Sequence, residues 1–200
     1  TNKGDNSYHV ITANGCGPDT VLSGFVITNG TASGSDGADG ADGVEGDEYG
    51  KDGENGEDGY GGGMYCENSN FTISNCVVHT NTATGGNGGV GGTGFWPPSM
   101  DWRNGDGGNG GSGYGSGLYF SNSSPTITTC IFIDNIVRGG NGGYGYDIGG
   151  EGDSNPGYAG TGSGGGIYCT NSNITVNECT LSNNSANYGG GICCYNSNIS

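Results

Sequence analysis

The chain has 200 residues, of which 49 are glycine, and its formal net charge is −16. Such a charge repels phosphate backbones and anionic lipid, so the composition excludes nucleic acid as a partner. No run of 18 apolar residues occurs, and the sequence therefore predicts no membrane span. The abundance of glycine also disfavours helices.

Short apolar segments recur along the chain in a fixed order. Their first residues after the opening segment are Met64, Leu118, Ile167 and Ile192, and the last step is 25 residues. Within each unit, apolar and polar residues alternate over short runs, which is typical of strands. A unit of this size cannot bury an apolar face alone and needs neighbours stacked on it. The sequence therefore predicts an all-β solenoid with turns of about 25 residues.

Equivalent residues of such a solenoid lie above one another in columns. We expect two inward columns, made of Val26, Val78, Phe132, Leu181 and of Met64, Leu118, Ile167, Ile192. A polar column at one corner is predicted to contain Asn29, Asn81, Asn135 and Asn184. Its amides would bond to one another and satisfy the bent backbone, which is a structural role.

Three glycine-rich insertions interrupt the units at about residues 31–61, 84–115 and 138–164. In the first, glycine recurs every third residue from Gly34 to Gly46 and again from Gly50 to Gly62. This period is typical of an extended left-handed helix of the polyproline II kind. Antiparallel glycine helices packed into a projecting sheaf are one interpretation, and a disordered glycine-rich loop is the other.

The insertions also contain two candidate ligand-binding sites. Acidic residues of the first insertion suit a hard cation such as Ca²⁺, with candidate ligands Asp39, Asp42, Glu45, Asp52, Glu54 and Asp58. A solvated acidic face is the alternative, and no cofactor is required. At the apex of the second insertion, a sugar-binding platform or a packed cap is predicted from Phe95, Trp96, Met100 and Trp102.

Five of the eight cysteines fall into columns. Cys169 and Cys194 are the best disulfide candidates, followed by one bond among Cys76, Cys130 and Cys179, because adjacent turns bring Cα atoms within disulfide range. Small buried thiols are the alternative interpretation.

The units with the pattern Gly-Gly-Gly-x-Tyr-Cys, a second Cys and Asn-x-Ala, together with residues 20–27, resemble right-handed parallel β-helix proteins of bacterial cell surfaces and secretions. The resemblance covers about residues 7–30 and the segments after residue 60 outside the insertions. The insertions resemble polyglycine II bundles. This resemblance implies the fold of the pectate lyases, which adhesins and passive spacers share.

The resulting functional expectation is a non-enzymatic, extracellular or cell-surface structural or adhesive protein, with no catalytic residue assigned. The 200 residues are expected to form one solenoid, as a fragment or repeating unit of a longer protein. The partners would be further copies stacked end to end into a filament, or a surface polysaccharide. The alternative is a polysaccharide-binding or lyase-like enzyme.

Overall fold

The computed structural model describes residues 8–45, 49–95, 103–146 and 154–200. These ranges contain strands and turns but no helix. Every strand pairing between successive turns of the chain is parallel, so the fold is the predicted all-β parallel β-helix.

The strands are short and follow one another around each turn. The first turn contains β1 (Ile11–Asn14), β2 (Val21–Ser23), β3 (Val26–Thr28), β4 (Thr31–Ser33) and β5 (Gly59–Tyr60). The second contains β6 (Met64–Glu67), β7 (Thr72–Ser74), β8 (Val77–His79), β9 (Thr82–Thr84) and β10 (Gly113–Tyr114). The third contains β11 (Leu118–Ser121), β12 (Thr126–Thr128), β13 (Ile131–Ile133), β14 (Ile136–Arg138) and β15 (Gly162–Ser163). The remaining turns contain β16 (Ile167–Thr170), β17 (Asn173–Asn177), β18 (Thr180–Ser182), β19 (Ile192–Tyr195) and β20 (Asn198–Ile199).

Strands at equivalent positions form five parallel sheets that run along the solenoid. Their orders are β1-β6-β11-β16-β19, β2-β7-β12-β17-β20, β3-β8-β13-β18, β4-β9-β14 and β5-β10-β15. The pairing is in register, so Ile167 lies beside Ile192 in the next turn, 25 residues later. Each sheet therefore aligns equivalent positions of successive turns.

The core consists of the inward columns. Met64, Leu118 and Ile167 are fully buried and form the predicted column, which Ile11 extends downward. The second predicted column is correct for Val78, Phe132 and Leu181 but wrong for Val26. Val26 is 61% exposed, and Ile27 occupies the inward position instead.

Single residues in the left-handed region bend the chain between strands. Asn68, Asn122, Asn171 and Asn196 share one corner at φ of 46° to 50°, and Gly15 stands there in the first turn. Asparagine and glycine reach this region at the lowest cost. The recurrent Asn of this sequence is therefore explained in part by the corners of the solenoid.

The three insertions form hairpins whose legs pack together into what we call the glycine sheaf. Its legs are residues 34–45 and 49–58, residues 85–95 and 103–112, and residues 139–146 and 154–161. The predicted insertion boundaries are wider because they include β4, β5 and the corresponding base strands. The described residues of the insertions form hydrogen-bonded legs, which is the packing expected of the predicted sheaf.

Main-chain hydrogen bonds join neighbouring legs at every third residue. The amides of Gly37 and Gly40 donate to the carbonyl oxygens of Asn87 and Val90 at 2.8 and 2.7 Å. The amide of Gly89 donates to Glu54 O, also at 2.8 Å. The three-residue spacing is that expected of polyglycine II-like packing.

The number of glycines in a leg follows from how many sides of that leg are packed. A Cβ atom added to Gly89 would collide with Ala38 O, and one added to Gly108 would collide with Glu54 O. The middle hairpin therefore needs glycine at two of every three positions. The first hairpin has Ala38 and Glu54 at the equivalent positions, because none of the described legs lies below them.

The third hairpin ends the sheaf in a similar way. Gly107 and Gly110 of the middle hairpin face the third hairpin, and a Cβ at either would collide with the carbonyl oxygens of Gly143 and Gly140. The amides of Gly107 and Gly110 donate to Asn155 O and Tyr158 O, which aligns them with Pro156 and Ala159. Side chains at those two positions exclude a fourth hairpin of the same kind.

Candidate functional site

The asparagine column is a hydrogen-bonded ladder. The amide nitrogen of Asn81 and its Nδ2 both donate to Asn135 Oδ1, at 3.1 and 3.0 Å. Asn135 makes the same two bonds to Asn184 Oδ1, at 3.1 and 2.9 Å. The ladder predicted for these three residues is thus present and buried around Asn81 and Asn135.

Asn29 does not belong to this ladder, which corrects the sequence prediction. Its position is taken by Gly30, whose amide donates to Asn81 Oδ1 at 3.0 Å. Asn29 is an exposed corner residue with a φ of 60°, aligned with Thr80. The error arose from aligning the first unit one residue out of register.

A buried serine ladder escaped the sequence analysis. The amide of Ser69 donates to Ser123 Oγ at 3.0 Å, and the amide of Ser123 donates to Ser172 Oγ at 3.0 Å. Each hydroxyl in turn donates to the carbonyl oxygen two residues earlier. The signal was the Asn-Ser pair that recurs at 68, 122, 171 and 196.

The predicted column of Cys76, Cys130 and Cys179 is present, but as thiols. All eight cysteines of the chain are free. Cys130 Sγ lies 3.4 Å from the amide nitrogen of Cys76, and Cys179 Sγ lies 3.4 Å from that of Cys130. Burial raises the pKa of Cys130 to about 11, so this thiol stays protonated at neutral pH.

Cys169 and Cys194 face each other on adjacent turns. They are register partners in β16 and β19, and their Sγ atoms are 2.8 Å apart. Cys169 is buried whereas Cys194 is exposed. Burial first, and then the neighbouring Cys194 thiol, raises the pKa of Cys169 to about 12.

The acidic residues proposed as Ca²⁺ ligands are mainly acceptors within the sheaf. Asp39 Oδ1 accepts the amide of Val90 at 2.8 Å, and Asp52 Oδ1 accepts the amide of Asp106 at 2.8 Å. Asp42 and Asp58 accept the amides of the residues that lie opposite them, Thr93 and Ser112. Glu45 and Glu54 are exposed.

These carboxylates accept hydrogen bonds from main-chain amides that do not donate to a carbonyl oxygen of a neighbouring leg. Among the described residues, no group of three or more His, Cys, Asp or Glu side chains is placed to hold a metal ion. Calcium binding therefore stays a prediction, and the observed contacts support a structural role for the aspartates.

Of the predicted apex platform, only Phe95 is described, and its side chain is 40% exposed. Trp96, Met100 and Trp102 lie outside the described residues. Below the apex, buried Asn104 joins two hairpins: its Oδ1 accepts the amide of Gly94 at 2.8 Å, and its Nδ2 donates to Tyr146 O at 2.7 Å.

A cluster of tyrosines in the angle between the solenoid and the sheaf is the most developed aromatic surface. Tyr65, Tyr119 and Tyr168 are register partners, and their stacked rings have centroids 5.2 and 5.7 Å apart. Tyr60 and Tyr114 form a second stack, with centroids 5.3 Å apart. The two stacks meet edge to face where Tyr60 approaches Tyr119 at 5.0 Å.

Burial raises the pKa of several tyrosine hydroxyls in this cluster. Burial, followed by the neighbouring phenol of Tyr65, raises the pKa of Tyr119 to about 12. Burial also raises the pKa of Tyr60, whose hydroxyl donates to Asp58 Oδ2 at 2.9 Å. The hydroxyls of Tyr60 and Tyr119 are therefore uncharged at neutral pH, and their rings are electron-rich.

An open recess of about 210 Å³ adjoins the two stacks. Its lining consists of Tyr60, Tyr114, Tyr119, Tyr168, Thr170 and Tyr195. Sequence analysis concentrated on the tryptophans and missed this site. The signal was present, since Tyr65, Tyr119 and Tyr168 each follow the first apolar residue of a unit.

Comparisons of the chain with family models, with curated proteins and with solved structures gave no match. Among the residues that the structure describes, no helix has the length and apolar character needed to cross a bilayer.

Proposed function

We propose that this chain is a non-enzymatic structural or adhesive β-solenoid of the cell surface or extracellular space, which projects the glycine sheaf from its side. The hydrogen-bonded packing of the sheaf legs carries this proposal. Glycine loses more conformational entropy on ordering than any other residue. Because the hydrogen bonds between the legs offset this entropy cost, the sheaf is a stiff projection that can hold its apex at a set distance from the solenoid.

The dimensions of the sheaf support a role in presentation. At about 3.1 Å per residue, a leg of 12 residues spans about 37 Å. Both lateral faces carry exposed side chains at every third residue, including Tyr144 at 77% and Tyr158 at 83% exposure. A regular array of exposed aromatic and polar groups on a stiff support suits contact with a surface ligand.

Hydrogen–deuterium exchange tests the structural basis of this proposal. We expect the amides of Gly37, Gly40, Gly53 and Gly56 to exchange slowly, because each donates to a carbonyl of a neighbouring leg. The amides of Asp36 and Asp39, on the outer side of the first hairpin, serve as internal references. Immediate exchange throughout residues 34–58 would remove the stiff projection and the proposal with it.

We further propose that copies stack end to end into a filament. Turns of the solenoid already associate through parallel main-chain pairing, which depends little on side-chain identity. The sheaf itself would not continue from one copy into the next, because Pro156 and Ala159 close its last hairpin. Electron microscopy of the native material, with sedimentation over a range of concentrations, should detect rods of graded length; a single monomeric species at all concentrations contradicts stacking.

Cell-surface location is tested separately from assembly. Antibody against the sheaf should label intact cells as strongly as permeabilised ones if the chain is exposed outside the cell. Labelling that requires permeabilisation contradicts this location.

The alternative is a polysaccharide-binding or lyase-like protein, and the exposed rings of Tyr144 and Tyr158 on the sheaf support binding of this kind. A polyuronate incubation that yields unsaturated product would overturn the non-enzymatic proposal. If product forms, an Arg138→Gln variant tests the basic side chain at the base of the third hairpin as the proton acceptor.

A further inference from the structure

The tyrosine-lined recess exists because one aromatic column stops short. Tyr60 and Tyr114 are paired in register, but the next residue of their column is Ser163. Ser163 is small and buried, so this column supplies no third ring to stack on Tyr114. The ring of Tyr168 lies beside this space. Its centroid is 4.9 Å from that of the Tyr114 ring, and the two ring planes are inclined at 55°.

The opposite lip of the recess is formed by a neighbouring outward column. That column runs from Glu67 through Ser121 and Thr170 to Tyr195. Tyr195 is 61% exposed and lies next to the buried ring of Tyr168. The recess therefore has aromatic groups on several sides and one hydroxyl from Thr170.

The electrostatic surroundings of the recess are negative. Asp58 accepts a hydrogen bond from the hydroxyl of Tyr60. Glu67 lies close to Tyr65 and Tyr119, and its charge adds to the effect of burial in raising the pKa of both. No lysine or arginine lines the recess. The whole chain adds a formal charge of −16.

The recess has room for a small group. A volume of 210 Å³ equals roughly seven times the 30 Å³ that one water molecule occupies in the liquid. A quaternary ammonium group has a nitrogen and four carbons and no hydrogen-bond donor. It needs aromatic faces and a negative field, and both are present here.

We propose that this recess binds a quaternary ammonium group of the choline type. Aromatic faces attract such a cation through the ring quadrupole, and the carboxylates of Asp58 and Glu67 add a favourable field. The inference goes beyond the scaffold role and does not depend on it. Choline binding by the recess and amide exchange in the sheaf are measured separately, so either proposal can fail without the other.

A neutral sugar is the main competing ligand. Sugars stack on aromatic faces and bond to hydroxyl groups, but they gain little from a negative field. Charge is therefore the property that separates the two ligands.

Calorimetric titration with choline and with 3,3-dimethyl-1-butanol isolates this property, because the alcohol replaces the ammonium nitrogen by carbon. We expect choline to bind about tenfold more tightly than the alcohol, and added salt to weaken choline binding. Phosphocholine should bind more weakly than choline, because Asp58 and Glu67 repel its phosphate. That comparison distinguishes free choline from a lipid headgroup.

Two variants locate the site. Tyr195→Ala removes an exposed ring without disturbing the core. Tyr114→Leu removes the last ring of its column while keeping apolar volume. Each should weaken choline binding about tenfold. Tyr158→Ala is the matched control, because that tyrosine is 83% exposed on the sheaf and should leave binding unchanged.

Equal binding of choline and its neutral isostere would overturn the proposal. So would tight binding of a neutral oligosaccharide with no response to choline, which would assign the recess to sugar. Loss of choline binding in Tyr158→Ala alone would place the site on the sheaf instead. Circular dichroism of each variant establishes that the fold is retained.

Discussion

Asn81 directs two hydrogen bonds at one atom of Asn135: its amide nitrogen and its Nδ2 both donate to Asn135 Oδ1, at 3.1 and 3.0 Å. Both residues are completely buried. The same side chain of Asn135 also donates to Val78 O at 2.9 Å. Asn135 thus satisfies three polar groups of the neighbouring turn where water has no access.

Replacing Asn135 by alanine should therefore destabilise the solenoid. The buried amide nitrogen of Asn81 and the carbonyl oxygen of Val78 would lose their side-chain partner, and each unsatisfied group costs about 1–3 kcal/mol. We expect a loss of about 3 kcal/mol in the free energy of unfolding by urea denaturation. Asn29→Gly is the control, since this exposed corner at φ 60° favours glycine. Equal losses in both variants would contradict the assignment of Asn135, and not Asn29, to the ladder.

Gly89→Ala should disrupt the middle of the sheaf. The added methyl group would meet Ala38 O, so the two hairpins could accommodate it only by moving apart and weakening the bonds that join them, such as the one from Gly89 N to Glu54 O at 2.8 Å. We expect a cost of about 3 kcal/mol from overpacking, seen as faster amide exchange in residues 85–92. Ala38→Gly is the matched control in the edge leg and should change exchange little. Unchanged protection in Gly89→Ala would contradict the close packing of the legs.

The solenoid was predictable from the sequence because its repeats have strong periodic landmarks. Met64, Leu118, Ile167 and Ile192 share a position that a simple alignment finds. The first unit lacks such a landmark, since Phe25 stands where Cys76 stands in the next turn. This is why Val26 and Asn29 were placed one residue out of register.

The packing of the sheaf and the tyrosine recess were less accessible to sequence reasoning. Both depend on which hairpin lies beside which, and this is set by contacts between distant residues. The aspartates of the first insertion illustrate the difficulty, because a carboxylate that binds a cation and one that accepts an amide have the same sequence signature. Only the position of the next hairpin shows that Asp39 accepts the amide of Val90.

The contact between Asp42 and Thr93 should make the outer part of the sheaf sensitive to acid. The amide and hydroxyl of Thr93 both donate to Asp42 Oδ1, and these bonds lower the pKa of this carboxyl below its usual value of 3.8. A carboxyl whose pKa is lower in the folded state stabilises that state above its unfolded pKa. The contribution is lost as the pH falls through the folded pKa.

Amide exchange at Thr93, corrected for the intrinsic pH dependence of exchange, should therefore show protection at pH 5 that declines below about pH 3.8. Asp42→Asn keeps an oxygen acceptor but cannot titrate, so its protection should be independent of pH over this range. A decline of equal size in both proteins would assign the effect to other groups.

Cys169 and Cys194 should form a disulfide when an oxidant is supplied. With oxidised glutathione, the exposed Cys194 thiolate attacks one glutathione sulfur and releases reduced glutathione, leaving a mixed disulfide. The Cys169 thiolate then attacks the Cys194 sulfur and releases the second glutathione. Because the pKa of Cys169 is raised to about 12, the second step should accelerate as the pH rises above neutral.

Peptide mapping under non-reducing conditions measures this bond directly as the loss of two hydrogens from the joined peptides. Cys193→Ser should leave the bond intact, because Cys193 pairs in register with Tyr168 and points away from Cys169. Cys194→Ser should abolish it. If glutathione instead remains attached to Cys194, or if Cys193 is the residue joined to Cys169, then the approach of the two sulfurs to 2.8 Å does not describe the protein in solution. The same mapping can be applied to native protein that has not been treated with an oxidant. A Cys169–Cys194 bond found there indicates an oxidising compartment, as expected outside the cell.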